Sequence, residues 1–337
     1  MRVLAAGDHF VRNALIADAL RHDLDGFPFE LRELILPWPL EPFGKVAEVD
    51  EASDAEDTLI EALEGVDICV TQMAPFTERV LDAAPALRLI VVCRGGPVNV
   101  NVQAAQARGV RVCFAPGRNA AATAEFTVGL MLAALRRIPE AHHSLAVEGS
   151  WDASYYTYER CGPELEDTPV GLIGYGAVGS RVARVLCAFG AEVEVYDPYV
   201  RGDVHGMRAH SLDALLSRSR IVTLHARLTP ETRALIGARE LALLPRGSVL
   251  VNAARGGLVE TGALCDALER GQLAAAALDT YEQEPLPSGS RLLTTQGLVL
   301  TPHLGGASRA VAHKAAAIAA AEVARHARGE PLQHVLV

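Results

Sequence analysis

The sequence predicts an α/β protein built from two doubly wound parallel-sheet domains, one inserted into the other. Three observations predict it. Short apolar runs alternate with helix-like stretches along the chain, the order that produces parallel sheets covered by helices. The length, 337 residues, exceeds what one hydrophobic core usually organises. After the last apolar run, one alanine-rich helix at Arg309–Arg328 remains with no strand to serve in its own domain, so it is expected to return to the first.

In chain order, strands are expected at Arg2–Ala6, Leu31–Leu36, Asp67–Thr71, Leu89–Cys93 and Arg111–Phe114, with helices between them such as Val11–Arg21 and Glu56–Leu63. These make a first doubly wound domain. A long helix follows at Ala121–Arg137, which Asn119 can cap. Residues Glu148–Thr168 are polar, aromatic and loop-like, with Trp151, Tyr155, Tyr156 and Tyr158. Six more strands are expected at Val170–Gly174, Glu192–Tyr196, Ile221–His225, Ser248–Asn252, Ala274–Leu278 and Leu298–Thr301, the number in a full dinucleotide-binding domain. The chain should cross between domains near residues 100 and 302. This gives one domain of residues 1–100 plus 303–337 around an insert of 101–302.

Half the residues are hydrophobic and 21% are charged, the balance of a soluble globular protein. The net charge is −10 and no Lys/Arg run occurs, which argues against a nucleic-acid partner. An anionic substrate would need local donors. Met1-Arg2 is followed by too short an apolar run for a secretory signal. No stretch of roughly 18 apolar residues suits a membrane span. The six cysteines (Cys69, Cys93, Cys113, Cys161, Cys187 and Cys265) form no CxxC or zinc spacing, so no metal is expected. They read as inert buried thiols of a reducing cytoplasm.

The sharpest local signal is Gly174-Tyr175-Gly176-Ala177-Val178-Gly179, placed between a strand and the amphipathic stretch Ser180–Phe189. Gly174 allows the tight turn, Gly176 lets backbone amides approach a pyrophosphate, and Gly179 allows close helix–strand contact. A helix N-terminus there presents N–H groups and a positive dipole end to phosphates. The next strand ends at Asp197, about 20 residues on, where a carboxylate takes the adenosine ribose hydroxyls and repels a 2′-phosphate. The insert is therefore read as a Rossmann domain for NAD, with Arg201 close enough to soften the preference over NADP.

Four further segments sit at or beyond expected strand ends: Asn252-Ala253-Ala254-Arg255-Gly256-Gly257, Ala277-Leu278-Asp279, Gln283-Glu284-Pro285-Leu286 and Thr301-Pro302-His303-Leu304-Gly305-Gly306. In an open parallel sheet that edge is where ligands bind. Singly, each is ordinary: an Arg after a strand, a Glu-Pro turn, a His after Pro. Together, in this order behind the Gly-rich turn, they make an Arg, a Glu and a His converge. An imidazole titrates near working pH and can exchange the proton that accompanies hydride transfer. A neighbouring carboxylate favours imidazolium, and Arg grips a carboxylate with two prongs.

These motifs resemble the D-isomer-specific 2-hydroxyacid dehydrogenase family, which includes D-3-phosphoglycerate, glycerate, D-lactate and formate dehydrogenases. The resemblance runs from Ala74-Pro75-Phe76-Thr77 to the final helix. It implies an NAD-dependent oxidoreductase interconverting a small 2-hydroxy acid and its 2-keto acid. It implies catalytic Arg255 on the substrate carboxylate and keto oxygen, His303 as general acid or base, and Glu284 bonded to the imidazole. Asp279 and the backbone at Ala253, next to Ala254, would hold the nicotinamide carboxamide. Gly95 and Gly96 would grip the substrate carboxylate, and His225–Thr232 would border the adenosine. It also implies a flavodoxin-like, discontinuous substrate domain around the Rossmann insert, and a homodimer built through the insert with Glu125 on the long helix taking part.

The chain departs from the family's pattern in places. Thr71-Gln72-Met73 stands where many members have Arg-Ser, which weakens a phosphorylated substrate. Arg94 could restore the charge or make a hinge salt bridge. Arg227 replaces a usual Pro. The tyrosines could reach a site from a partner subunit or pack on a dimer surface. Two other readings of the chain remain. An NAD-sensing regulatory protein of the same fold would not need Arg255, Glu284 and His303 together. A formate dehydrogenase usually has Gln before its His, where Pro302 stands here.

Overall fold

Residues 1–38 and 44–337 are described in the computed structural model. Within the first strand Val3, Leu4, Ala5 and Ala6 are all buried. A strand covered on both faces shows a continuous apolar run instead of alternation, and the same holds for Ile68–Thr71 and Leu89–Val92. The chain runs β1 (Arg2–Gly7), α1 (Asn13–Asp23), β2 (Glu30–Ile35), α2 (Glu56–Ala62), β3 (Ile68–Thr71), α3 (Glu78–Ala83), β4 (Leu89–Val92), α4 (Val102–Ala107) and β5 (Arg111–Phe114). Next come α5 (Ala120–Leu135), α6 (Ile138–Ala146), β6 (Pro169–Ile173), α7 (Gly179–Ala188), β7 (Glu192–Tyr196), β8 (Met207–Arg208), α8 (Leu212–Arg218) and β9 (Ile221–Leu224). The remainder is α9 (Ala238–Leu243), β10 (Ser248–Asn252), α10 (Thr261–Glu269), β11 (Leu273–Leu278), β12 (Leu298–Leu300) and α11 (Arg309–Arg328).

The chain divides into two units, Met1–Asn119 with Ser308–Val337, and Ala120–Ala307. The sequence placed the first crossing near residue 100. The structure moves it to residue 119, because β5 pairs in parallel with β4 and so belongs to the first sheet together with α4. The second crossing falls after residue 307, at the N-cap Ser308 of α11, whose hydroxyl accepts from Val311 N.

The first unit has a five-stranded parallel sheet in the order β2-β1-β3-β4-β5, the flavodoxin-like arrangement. One face packs Leu4, Cys69 and Ile90 against Leu59, Val80 and Ala105 of the α2–α4 layer. The other packs Val3, Val70 and Val91 against Ile16 and Leu20 of α1 and a stripe of alanines on α11. The final helix therefore does return to the first sheet. Residues 334–337 run antiparallel along β5, with Leu336 N donating to Val112 O at 2.8 Å and Val112 N to Val337 O at 3.0 Å, which covers an otherwise open sheet edge.

The second unit has a seven-stranded parallel sheet in the order β12-β11-β10-β9-β6-β7-β8. Six strands match the expected ones. The two-residue β8 went unread, being too short for any periodicity to mark it. The order reverses between β6 and β9, and the Gly-rich turn lies at that switch point, where doubly wound sheets open a crevice. Helices α5 and α7 cover one face around Met131, Val182 and Leu186, and α8–α10 cover the other around Leu215, Leu241 and Leu264.

The cysteine expectation needs correction. Cys69, Cys93, Cys113 and Cys265 are buried thiols, but Cys161 and Cys187 are exposed. Cys187 lies on the outer face of the amphipathic α7, and Cys161 in the irregular stretch before β6. Among the described residues no helix is long and apolar enough to cross a membrane.

Candidate active site

At the end of β6 the backbone must turn sharply under the following helix. Gly174 does so at φ +94°, and a Cβ there would lie 2.6 Å from the backbone of His225 and Ala226. Gly179, the first residue of α7, approaches so closely that a Cβ would sit 2.0 Å from Gly174 O. Gly176 is different: a Cβ built on it meets nothing within 4 Å. That open space lies over the N-terminal turn of α7, beside exposed Ala177 and half-buried Val178. Beneath the turn, His225 Nε2 lies 3.0 Å from Thr223 Oγ1, and burial pulls the imidazole down to about 3. Asp197 closes the far side, its Oδ2 accepting from Tyr175 N at 2.7 Å and its Oδ1 from Tyr199 N at 2.8 Å. An anion-accepting helix start, a glycine-lined opening and a fixed carboxylate beyond it fit the pyrophosphate and ribose of a dinucleotide.

The same sheet edge gathers Arg255, Asp279, Glu284 and His303, all from the second unit. His303 Nδ1 lies 2.7 Å from Glu284 Oε2. The imidazole is 45% exposed and the carboxylate 27%. Burial works against ionising Glu284, but the bond and charge of His303, the Tyr281 N–H and the Arg255 charge outweigh it, holding the carboxyl below its usual range. Arg255 is exposed and its Nη1 donates to Ala254 O at 2.7 Å. Its turn is stapled by buried Asn252, which accepts from Ala254 N at 3.1 Å and donates to Arg255 O at 2.9 Å. Ala253 is buried beneath it.

Asp279 is 1% exposed. Its Oδ1 accepts from Thr301 Oγ1 at 2.6 Å and Leu304 N at 2.8 Å, and its Oδ2 from Gly305 N at 2.7 Å. Its carbonyl accepts from His303 N at 2.9 Å. This clasp holds His303 at φ +54°, a region a non-glycine residue occupies only when its surroundings impose it. Sequence reasoning assigned Asp279 to the nicotinamide alone and missed both this clasp and Tyr281. The Tyr281 N–H donates to Glu284 Oε1 at 2.9 Å, and its hydroxyl donates to Thr301 O at 2.9 Å. Burial pushes that phenol up to about 12. The available signal was an aromatic residue three before the Glu and a hydroxyl two before the His.

In the first unit, Gly95 and Gly96 follow β4 with open space where a Cβ would stand. Arg94 is mostly covered and ion-paired with Glu51, donating to its carboxylate and, at 3.0 Å, to its carbonyl. At the same sheet edge Asp8 is 3% exposed, and burial raises its carboxyl despite the Phe10 and Val11 N–H groups. Tyr156 and Tyr158 are 95% and 90% exposed, and Tyr155 lies under the Arg160 guanidinium at 4.2 Å.

Comparison with known proteins agrees with this geometry. The family model described as D-isomer specific 2-hydroxyacid dehydrogenase, NAD binding domain, matches residues 128–305. A D-3-phosphoglycerate dehydrogenase of Methanocaldococcus jannaschii is 36% identical over 298 residues, 87% of this chain and 56% of that protein. The chain thus spans about half the length of such curated relatives. A glyoxylate reductase of Thermofilum pendens is 39% identical over 255 residues, 74% of this chain and 75% of that one. The crystal structure of TT0316 protein from Thermus thermophilus superposes with TM-score 0.81 at 31% identity, covering all of both chains. With a family match over the unit that holds the Gly-rich turn and the His–Glu pair, and relatives this similar across most of its length, the chain belongs to the D-isomer specific 2-hydroxyacid dehydrogenases, and its second unit is their NAD-binding domain.

Proposed function

We propose that the protein is an NAD-dependent oxidoreductase that interconverts a small D-2-hydroxy acid and its 2-keto acid. The observation that carries the reading is the His303–Glu284 pair at 2.7 Å, within the field of Arg255, on the domain that binds NAD. When bound, the nicotinamide supplies or accepts the hydride. Glu284, ionised at neutral pH, can only accept hydrogen bonds, so His303 Nδ1 must carry a hydrogen and Nε2 is the nitrogen that exchanges a proton with the substrate oxygen. Arg255 would hold the substrate carboxylate with a planar pair of N–H donors and polarise the keto oxygen. Gly95 and Gly96 are proposed as the amide grip of the first unit. Arg94 is proposed to add positive charge beside that grip while paired with Glu51.

Asp197 favours NAD over NADP by placing negative charge where a 2′-phosphate would go. Exposed Trp151, Tyr156 and Tyr158 on the second unit support a homodimer through that unit. The test is NADH oxidation with glyoxylate, hydroxypyruvate and phosphohydroxypyruvate. Turnover with at least one is expected. Tight NADH binding without turnover of any would instead mark a regulatory NAD-binding protein.

A further inference from the structure

One side chain in the Gly-rich turn exceeds what a phosphate cradle requires. The position between the first two glycines needs only to follow the turn, and here it holds a tyrosine. The ring of Tyr175 packs against the apolar cluster beneath β6 and β7, as does Val204. Its N–H donates to Asp197 Oδ2, and its hydroxyl accepts from His205 N at 2.7 Å. Tyr175 thus ties the turn to both ends of the strap 198–206, which leads from Asp197 to β8.

The strap's other ties lie elsewhere. Its start is held by Tyr199 N on Asp197 Oδ1. Its middle is held by the Arg208 guanidinium donating to Gly202 O. Gly206, at φ +92°, presses so close to β7 that a Cβ would lie 2.3 Å from Val193 O. Between these points, among the described residues, the strap's hydrogen bond to the cofactor turn is to one phenolic oxygen, beside the apolar packing of Val204.

The strap begins at the carboxylate that faces an adenosine ribose, so its position determines what stands beside the 2′ oxygen. It carries Arg201 and His205 and leads into Arg208. While it is held, Asp197 is fixed by two backbone N–H groups and Arg208 is turned onto Gly202. A loosened strap would let Arg201 and Arg208 swing toward the ribose, where a cation accommodates a 2′-phosphate. We propose that Tyr175 is a coenzyme-selectivity residue, its hydroxyl holding strap 198–206 against the Gly-rich turn so that NAD is favoured over NADP. This rests on the reading that a dinucleotide occupies that turn.

The test is Tyr175→Phe, which removes the hydroxyl and keeps the ring. Three results are expected. Amide hydrogen exchange around residues 203–206 quickens in the cofactor-free protein. NADH affinity, titrated by fluorescence, weakens about threefold to tenfold, the range of one neutral hydrogen bond. NADPH affinity does not fall with it, so the preference for NADH over NADPH shrinks at least about threefold. A merely structural role would lower both affinities together and leave their ratio alone. His205→Ala keeps the backbone donor and is expected to leave the ratio unchanged. An unaltered ratio in Tyr175→Phe, or the same shift in His205→Ala, overturns the proposal. Affinities and exchange decide it whether or not a substrate is turned over, and absence of turnover counts only against the catalytic reading.

Discussion

Glu284 sits below the ordinary carboxylate range, so it is anionic throughout the neutral region and loses its charge only in acid. Replacing it with Gln preserves shape and removes that charge. The amide no longer favours imidazolium at His303, so the pH profile of keto-acid reduction is expected to move to lower pH, with turnover at pH 7 down about tenfold or more. An unmoved profile would count against the pair. The glycines separate in the same way. Gly176→Ala puts a methyl group into open space, so melting should be unchanged while NADH affinity falls. Gly179→Ala drives a methyl group into Gly174 O and should lower both. A calorimetric scan and an NADH titration of each variant check this. Arg255, Glu284 and His303 were legible because each follows a strand, and strand ends can be read from apolar runs. The clasp of Asp279 was not, since its partners lie 22 to 26 residues away. Nor was the Glu51 partner of Arg94, 43 residues distant. Pairings across such separations depend on the folded path and leave no local pattern.

Among the elements, α11 shows how small residues set a distance. Ala315 and Ala319 are fully buried against the first sheet and α1, where any larger side chain must displace a neighbour. Ala319→Leu is expected to destabilise the protein by about 1–3 kcal/mol through overpacking, read as a lower denaturant midpoint at constant slope. His225, at the end of β9, makes a pH prediction. Its folded value is depressed to about 3 by burial, so the unfolded chain binds a proton that the folded chain refuses. Stability therefore declines as pH falls from about 6.5 toward 3. His225→Asn should flatten that decline between pH 7 and 5 in thermal melts, and an equally steep decline in the variant would sink the idea. Among the described residues, eleven of twelve strands were readable, most as short apolar runs and β2 and β7 as runs mixing charged and apolar residues. The first domain crossing was placed near residue 100 even though the Arg111–Phe114 run was counted with the first sheet; the crossing at residue 119 lies beyond both α4 and that strand.

For the whole molecule, the acid excess of the chain leaves recognition of an anionic acid to a few local donors, proposed to be Arg255 on the NAD-binding unit and the Gly95 and Gly96 amides of the first unit. The exposed aromatic residues of that unit lead us to expect sedimentation at about twice the 35.8 kDa chain mass. Trp151→Glu should shift it toward the monomer, and a wild-type monomer at micromolar concentration would contradict the dimer. At the centre stands the proposal that His303 exchanges the proton that moves with hydride. Its most direct test is His303→Ala, assayed for NADH oxidation by a 2-keto acid that the unaltered protein reduces, with NADH affinity titrated on the same sample. Turnover is expected to fall by at least about a hundredfold with NADH affinity nearly unchanged. Turnover within about threefold of the unaltered protein, at intact affinity, would contradict the proposal.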